Sequence, residues 1–232
     1  MKTSSARWIV AMVCGLVIST AVTAEEQHSD PWQGFNRAMF SFNEGLDTYA
    51  LKPITKGYQA VMPDLGERGV NNFFSNLGDV SNTFNNLLQG KLDDALMSFA
   101  RLGFNSTFGL AGFIDVATPM GIERKAEDFG QTLGTWGVAS GPYVVLPFFG
   151  PSTIRDGLGR IPDAMIDPVM QLDDAGARNA VYMARVIDTR SQLMKVEKLI
   201  SGDKYSFIRD AYLQKRAYDI RDGAENYDSS NF

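Results

Sequence analysis

Apolar side chains recur along this chain at helical spacing, and this periodicity limits the fold more than any other feature of the sequence. The first stripe begins at Trp32 and ends at Leu46, with apolar residues at intervals of three and four. Such intervals place a stripe on one face of an α-helix. The same spacing returns in four later segments, 68–89, 92–102, 173–200 and 205–220. Because no alternating strand pattern runs for more than a few residues, the sequence predicts an all-α fold of amphipathic helices.

The segment 68–89 is unusual in the polar residues that accompany its apolar stripe. They include six asparagines, Asn71, Asn72, Asn76, Asn82, Asn85 and Asn86. Asparagine is a mediocre helix former, and a helix facing solvent ordinarily carries Glu and Lys in its place. The amides are consistent with a hydrophilic lining, with a hydrogen-bonded network between helices, or with helix caps and turns.

A glycine-rich run follows in the middle of the chain. Glycines at 130, 134, 137 and 141 would share one face of a helix. A face without Cβ atoms lets another backbone or an acyl chain lie against it, although each glycine costs a helix about 1 kcal/mol relative to alanine. The apolar segment 144–149 comes next and is too short to cross a bilayer. The alternative interpretation is a buried glycine turn followed by one core strand.

The first 24 residues have the pattern of a secretory signal peptide. Lys2 and Arg7 precede the apolar stretch 9–18, and Val22–Ala24 provides a small-residue cleavage site. We expect residues 25–29 to be a linker, 30–222 a helical domain and 223–232 a polar tail.

Cys14 is the only cysteine, and it lies within the apolar part of this signal. A cysteine that becomes lipidated in bacteria follows a small residue, whereas Val13 precedes Cys14. Several apolar residues also follow Cys14. We therefore expect no lipid on Cys14. The mature chain would contain no disulfide and no thiolate ligand for a metal.

The sequence argues against several classes of function. A formal charge of −5 does not suit a nucleic-acid-binding protein, which needs a basic face. His28 is the only histidine, and the chain lacks a nucleophile elbow, a phosphate-binding loop and a dinucleotide fingerprint. Neighbouring acids such as Asp93 and Asp94 point about 100° apart on a helix, so they do not form a catalytic pair. We expect no enzymatic activity, no cofactor and no metal.

Ordered motifs across residues 30–160 resemble a known family. They are Asp30-Pro31-Trp32-x-x-Phe35-Asn36-Arg37, Asn72-Phe73-Phe74-x-Asn76-Leu77, Asn105-Ser106-Thr107-x-Gly109-x-x-Gly112, and the central run from Glu127 to Ser152. This set is similar to the signature of the VacJ/MlaA family, the outer-membrane component of a bacterial phospholipid-transport system. The C-terminal part matches less closely.

The resemblance implies an all-helical ring with a central polar channel, at the periplasmic face of the outer membrane. Such proteins associate with trimeric porins. They take phospholipids misplaced in the outer leaflet, which maintains lipid asymmetry, and hand them to a soluble periplasmic lipid carrier. Family members are usually lipoproteins, and in this respect the sequence departs from the pattern. The alternatives are a porin-binding adaptor or structural outer-membrane protein that conducts no lipid, and a phospholipase.

Two sets of residues follow as candidates for the functional site. For the channel or lipid contact we expect Asn43, Asp47, Asn72, Asn76, Asn86, Gly130, Gly134, Gly137 and Gly141. For the membrane interface we expect Phe113, Ile114, Val145, Leu146, Phe148 and Phe149, because the apolar segments 108–117 and 144–149 would face acyl chains.

Overall fold

Helices form most of the chain in this computed structural model, which describes residues 30–197, 200 and 202–223. The helices are α1 (Gln33–Leu46), α2 (Lys52–Val61), α3 (Asp64–Leu88), α4 (Leu92–Phe108), α5 (Phe129–Thr135), α6 (Ile154–Ile166), α7 (Ala175–Val196) and α8 (Lys204–Ile220). A short hairpin of β1 (Tyr143–Leu146) and β2 (Gly150–Thr153) accompanies them. The predicted all-α class is confirmed. The expected signal peptide, the linker and nearly all of the tail lie outside the described residues.

The chain passes from α1 to α2 without the break that Pro53 predicts. A π-helical turn, Asp47–Leu51, joins the two helices. Pro53 falls in the first turn of α2, where a missing N–H is tolerated. Asp30 followed by Pro31 is a typical sequence signal for the start of a helix, but this expectation is wrong. The cap position of α1 belongs to Trp32, which forms no side-chain cap bond.

Side-chain caps fix the start of three later helices. Asp128 accepts a hydrogen bond from the Gln131 N–H at α5, Thr153 from Asp156 at α6, and Asp174 from Ala177 at α7. Each cap satisfies one of the backbone donors that a helix leaves unpaired in its first turn.

Two helices run farther than the sequence predicts, since its pattern ends one helix at Leu102 and a short amphipathic piece, 153–158, at Gly159. Helix α4 continues through Asn105 to Phe108, and α6 continues through Gly159 with Pro162 inside it. Glycine and proline disfavour a helix interior, but tertiary contacts decide the outcome here. A Cβ on Gly159 would lie 2.6 Å from the Gly130 N atom, so the glycine allows α5 and α6 to approach closely.

The expected helix with four aligned glycines does not form. Helix α5 ends at Thr135, and Gly137 and Gly141 adopt φ of +85° and +67°, which favours glycine in turns. Tyr143–Leu146 then forms a strand, with Tyr143 opposite Thr153 and Leu146 opposite Gly150. The alternative of a glycine turn and a core strand therefore describes residues 137–146, and only Gly130 and Gly134 remain helical.

A small apolar core lies where the hairpin meets α1 and α8. It is centred on Tyr143, Val145 and Tyr205, against which Met39, Phe40, Tyr212 and Leu213 pack. Edge-to-face ring contacts join Phe40 to Tyr205 and Tyr143 to Tyr205, an arrangement that aromatic rings favour.

Contacts between elements pass from α1 to the hairpin, from the hairpin to α6, and from α6 to α3. They continue from α3 to α7, from α7 to α2, and through the π-helical turn back to α1. The most extensive pairing joins α3 to α4, and α5 packs on α6 and α8.

Candidate functional site

An open cavity of about 1190 Å³ is the main concave feature that we assign to function. Helix α6 contributes Gly157, Arg160, Ile161 and Ala164, spaced as one helix face requires, and also Asp163 and Met165. Helix α7 contributes Arg178, Tyr182 and Arg185 at the same kind of spacing, with Asn179 beside them. The rest of the wall comes from α3, the hairpin and the segments beside α5 and α6, with Leu77, Gly78, Ser81, Asn82, Glu127, Asp128, Leu146, Phe149, Asp167, Met170 and Gln171.

Three acids of the cavity wall are paired with basic side chains. The two Asp128 carboxylate oxygens each lie 2.6 Å from an Arg216 Nη atom, and Arg185 contacts Asp167 at 2.5 Å and 3.0 Å. Lys91 Nζ lies 3.2 Å from Glu127. Burial alone would raise the pKa of Asp128, but hydrogen bonds and charge from Arg216 outweigh it and lower that pKa.

Asp163, the fourth acid, has polar neighbours and no basic partner among the described residues. It accepts hydrogen bonds from the Phe129 N–H, the Asn85 amide and the Ser81 hydroxyl, at 3.0–3.2 Å. Burial raises the pKa of Asp163 despite these bonds. The group links α3, α5 and α6 at the cavity wall.

Polar side chains fill much of the interior, while large apolar side chains lie at the surface. Among the described residues, nineteen buried side chains are polar or charged and seven are apolar, whereas thirty-three large apolar side chains are exposed. Soluble proteins mostly bury the apolar group instead. This inverted distribution indicates that the surface faces something less polar than water.

Helix α4 shows the inversion within one element. Its buried residues are Ala95, Ser98, Arg101 and Asn105. Leu96 and Phe99, on the other face, are 66% and 63% exposed. A helix at a water interface has the opposite arrangement. The outer face of α4 therefore has the character of a surface that contacts lipid or another apolar partner.

Two asparagines of α1 hold the hairpin. The Asn36 side chain donates to the Tyr143 carbonyl at 3.0 Å and accepts from the Val145 N–H at 2.9 Å. Two turns later Asn43 donates to the Leu146 carbonyl at 2.9 Å and accepts from the Phe148 N–H at 2.8 Å. Each amide supplies a donor and an acceptor, as a neighbouring strand would. We call Asn36 and Asn43 the amide clamp.

Asp47, Asn72 and Asn76 also join elements, whereas Asn86 bonds within α3, and none of the nine expected channel residues lines this cavity. Asp47 pairs with Arg190 at 2.6 Å and 2.8 Å. Asn72 donates to the Phe113 carbonyl, Asn76 to Ser106 and Asn86 to the Asn82 carbonyl. Asn86 is fully buried and Asn76 nearly so. The asparagines thus form the hydrogen-bonded network that was one of the three interpretations of this segment.

The expected glycines have packing or turn roles at their positions. A Cβ on Gly130 would lie 2.3 Å from Arg216 Nη2, and one on Gly134 would lie 2.9 Å from Ile220 Cδ1. These two therefore permit close packing of α5 against α6 and α8. Gly137 and Gly141 are the turn glycines described above.

The expected membrane-interface residues divide into three groups. Val145 is 1% exposed and lies in the core, so its expected interface position is wrong because β1 turns it inward. Leu146 and Phe149 line the cavity. Phe113, Ile114 and Phe148 are exposed, and Phe148, at 75%, is among the most exposed large apolar residues described.

Sequence reasoning missed most of the cavity wall. Arg160, Asp163 and Arg178 were not among the expected site residues, although they contribute charge to the cavity. The spacing of residues 157, 160, 161 and 164 would have indicated one lining face, had the segment been interpreted as a continuous helix. Ending that helix at Gly159 hid the pattern.

The family model for the MlaA lipoprotein matches residues 28–219. The chain belongs to the MlaA lipoprotein family. Family relatives include the intermembrane phospholipid transport system lipoprotein MlaA of Shigella flexneri, 36% identical over 88% of this chain and 82% of the relative. The protein of that name from Escherichia coli strain K12 is 35% identical over the same shares. An uncharacterized protein of Rickettsia typhi is 38% identical, over 83% of this chain and 78% of the relative.

The MlaA assignment extends to structure. A solved structure from work on the structural basis for maintenance of bacterial outer membrane lipid asymmetry superposes with a TM-score of 0.73. The two chains are 34% identical, over 83% of this chain and 100% of the other. Whether Cys14 is lipidated in this MlaA-family chain stays a prediction, since Cys14 lies outside the described residues.

Membrane-spanning helices and metal sites are absent from the part of the chain that the structure describes. None of the helices there combines the length and apolar character needed to traverse a bilayer. In the same ranges, no group of three or more His, Cys, Asp and Glu side chains is placed to hold a metal ion.

Proposed function

We propose that this protein acts at the periplasmic face of the outer membrane of a Gram-negative bacterium. It removes phospholipids misplaced in the outer leaflet and hands them to a soluble periplasmic lipid carrier, and so maintains lipid asymmetry. Trimeric porins are its partners in the membrane. The protein moves the lipid without chemical change and needs no cofactor. Nucleic acid is not among its partners.

The inverted distribution of polar and apolar side chains carries this proposal. Exposed apolar side chains such as Leu96 and Phe99 on α4 match acyl chains, and each buried apolar side chain contributes about 1.5–3 kcal/mol when it leaves water. Many of the buried amides and charges form hydrogen bonds with other groups of the protein, as polar groups away from water require. Phe113, Ile114, Phe148 and Phe149 belong to the lipid-facing surface.

We assign the polar channel to the 1190 Å³ cavity. The contact circuit from α1 through the hairpin, α6, α3, α7 and α2 back to α1 supports a ring, of which the hairpin, α6, α3 and α7 border the cavity. A headgroup would pass along the charged side chains of the otherwise largely apolar wall. Its acyl chains would remain beside Leu146, Ile161, Met165 and Met170 of the wall.

Narrowing the cavity tests the proposal. Ala164 is exposed on the cavity face of α6, so Ala164→Trp fills the opening with an indole. In cells that lack the native gene, this variant should leave surface phosphatidylethanolamine as high as the deletion does. A membrane-impermeant amine-reactive dye measures the surface lipid. Ala180→Trp is the matched control, because Ala180 is exposed on α7 outside the cavity wall.

Two further measurements complete the experiment. They are co-purification of the porin and fractionation of the membranes without detergent. Both variants should fractionate with the outer membrane and co-purify with the porin. If Ala164→Trp restores lipid asymmetry as well as wild type while retaining the porin, the assignment of the channel to this cavity is wrong. The result would then support a porin-binding adaptor that conducts no lipid. Release of fatty acid from phospholipid by the purified protein would instead support a phospholipase.

A further inference from the structure

Some charged side chains of the cavity wall form ion pairs and others do not. Asp128, Asp167 and Glu127 each have a basic partner, as described above. Among the described residues, neither Arg160 nor Arg178 forms an ion pair with a carboxylate. The described wall groups without an opposite charge beside them are therefore Arg160, Arg178 and Asp163, so guanidinium groups outnumber carboxylates among them, although the whole chain is acidic.

Arg160 is held in position by an aromatic ring. It is exposed on the cavity face of α6, and its guanidinium carbon lies 5.4 Å from the centre of the Phe149 ring. This distance is within the range of a cation–π interaction. The ring orients the side chain, and among the described residues the Arg160 guanidinium donates to no protein acceptor, so its N–H groups are available to a ligand.

Arg178 supplies a second guanidinium from the neighbouring wall. It is half-buried on the cavity face of α7, one turn before Tyr182. Its Nη1 donates to the Leu172 carbonyl at 3.0 Å, which fixes the side chain and leaves four of its five N–H donors for a ligand. Two anchored guanidinium groups thus lie on two helices of one cavity.

We infer that Arg160 and Arg178 bind the phosphate group of a phospholipid within this cavity. The inference rests on the proposed function and adds the residues that recognise the cargo. A guanidinium presents parallel N–H donors that match two phosphate oxygens, which a neutral amide does not. Apolar wall residues such as Ile161 and Met165 lie beside Arg160 and suit the glycerol and the start of the acyl chains.

Calorimetric titration of the full chain in non-ionic detergent tests this inference. The probes are dihexanoyl phosphatidylethanolamine, dihexanoylglycerol without the phosphate, and inorganic phosphate. Arg160→Gln should weaken the phospholipid about tenfold, and Arg160→Gln with Arg178→Gln about a hundredfold, the usual effect of losing charged hydrogen bonds. Binding of dihexanoylglycerol should not change. Arg160→Lys should fall between wild type and Arg160→Gln, since it keeps the charge and loses the planar fork.

Arg68→Gln is the control, because Arg68 is an exposed arginine outside the cavity wall. Equal phospholipid affinity in wild type and the double variant would overturn the inference. Loss of inorganic phosphate binding with unchanged phospholipid binding would overturn it as well, since the site would then serve a free anion. A different result would overturn the proposed function, namely restoration of lipid asymmetry by Ala164→Trp.

Discussion

At the scale of single residues, one charged cluster fixes the loop after α4. The Asp115 carboxylate accepts hydrogen bonds from Arg101 at 3.0 Å, Asn105 at 3.2 Å and Thr118 at 2.6 Å and 3.1 Å. Burial alone would raise the pKa of Asp115. The bonds from Thr118 and Arg101 outweigh it and lower that pKa to about 2.

This cluster predicts a dependence of stability on pH. Because the pKa of Asp115 is lower in the folded state, its stabilisation is complete above the unfolded pKa of about 4 and is lost as pH falls to about 2. Asp115→Asn should therefore lower the free energy of unfolding by about 2 kcal/mol at pH 7. The gap to wild type should narrow at pH 3. Urea unfolding in detergent measures both values.

A control separates this effect from a general change of charge. Asp93→Asn alters an exposed acid in the first turn of α4 and should change the free energy of unfolding by less than about 0.5 kcal/mol. A gap between wild type and Asp115→Asn that is as wide at pH 3 as at pH 7 would contradict the assignment.

At the scale of elements, the close approach of α5 and α6 depends on glycine. A Cβ on Gly159 would lie 2.6 Å from the Gly130 N atom and 2.9 Å from its Cα, and a backbone cannot yield as a flexible side chain can. Gly159→Ala should destabilise the protein by about 1–3 kcal/mol. Thermal unfolding in detergent measures the change.

Gly103 in α4 is the matched control, because nothing lies within 4 Å of a Cβ built on it. Gly103→Ala should stabilise the protein by about 0.4–1 kcal/mol, since alanine restricts the unfolded chain and favours the helix. Equal effects of the two substitutions would show that α5 and α6 do not pack as described.

The sequence could predict some of the helices and not others. Periodicity located α1, α3, α7 and α8, because their apolar stripes are uninterrupted. It failed at α6, where Gly159 and Pro162 are typical helix breakers and only the contact with Gly130, nearly thirty residues away, shows why a glycine is needed. Since Arg160, Ile161 and Ala164 follow that glycine, the error in one boundary removed part of the cavity wall from the expected site.

At the scale of the whole molecule, the inverted polarity predicts how the protein partitions. Leu96→Gln with Phe99→Gln replaces two exposed apolar side chains on α4. In a soluble protein the change would be nearly neutral, but on a lipid-facing surface it removes apolar contact worth about 3–5 kcal/mol. The variant should bind phospholipid vesicles much more weakly than wild type in a flotation assay, with its thermal unfolding in detergent unchanged.

Thr107→Gln serves as the comparison, since Thr107 is an exposed polar residue of the same helix. Undiminished flotation of the Leu96→Gln, Phe99→Gln variant would show that α4 does not face lipid. The sequence alone could not resolve this point. Its stripes show that each helix has two faces, but burial of Arg101 and Asn105 depends on partners such as Asp115, which only the folded chain brings together.

The amide clamp has a consequence for how copies of this protein meet on a crowded membrane. An exposed strand edge recruits further strands and leads to aggregation. Here Asn36 bonds backbone groups on the side of β1 away from β2, and Asn43 bonds the end of β1 and the turn that follows it. Because the Val145 N–H points away from β2, its register partner Pro151 also faces outward, and proline has no N–H to offer. Both edges of the hairpin thus offer fewer backbone groups to a further strand, which opposes extension of this sheet between neighbouring copies.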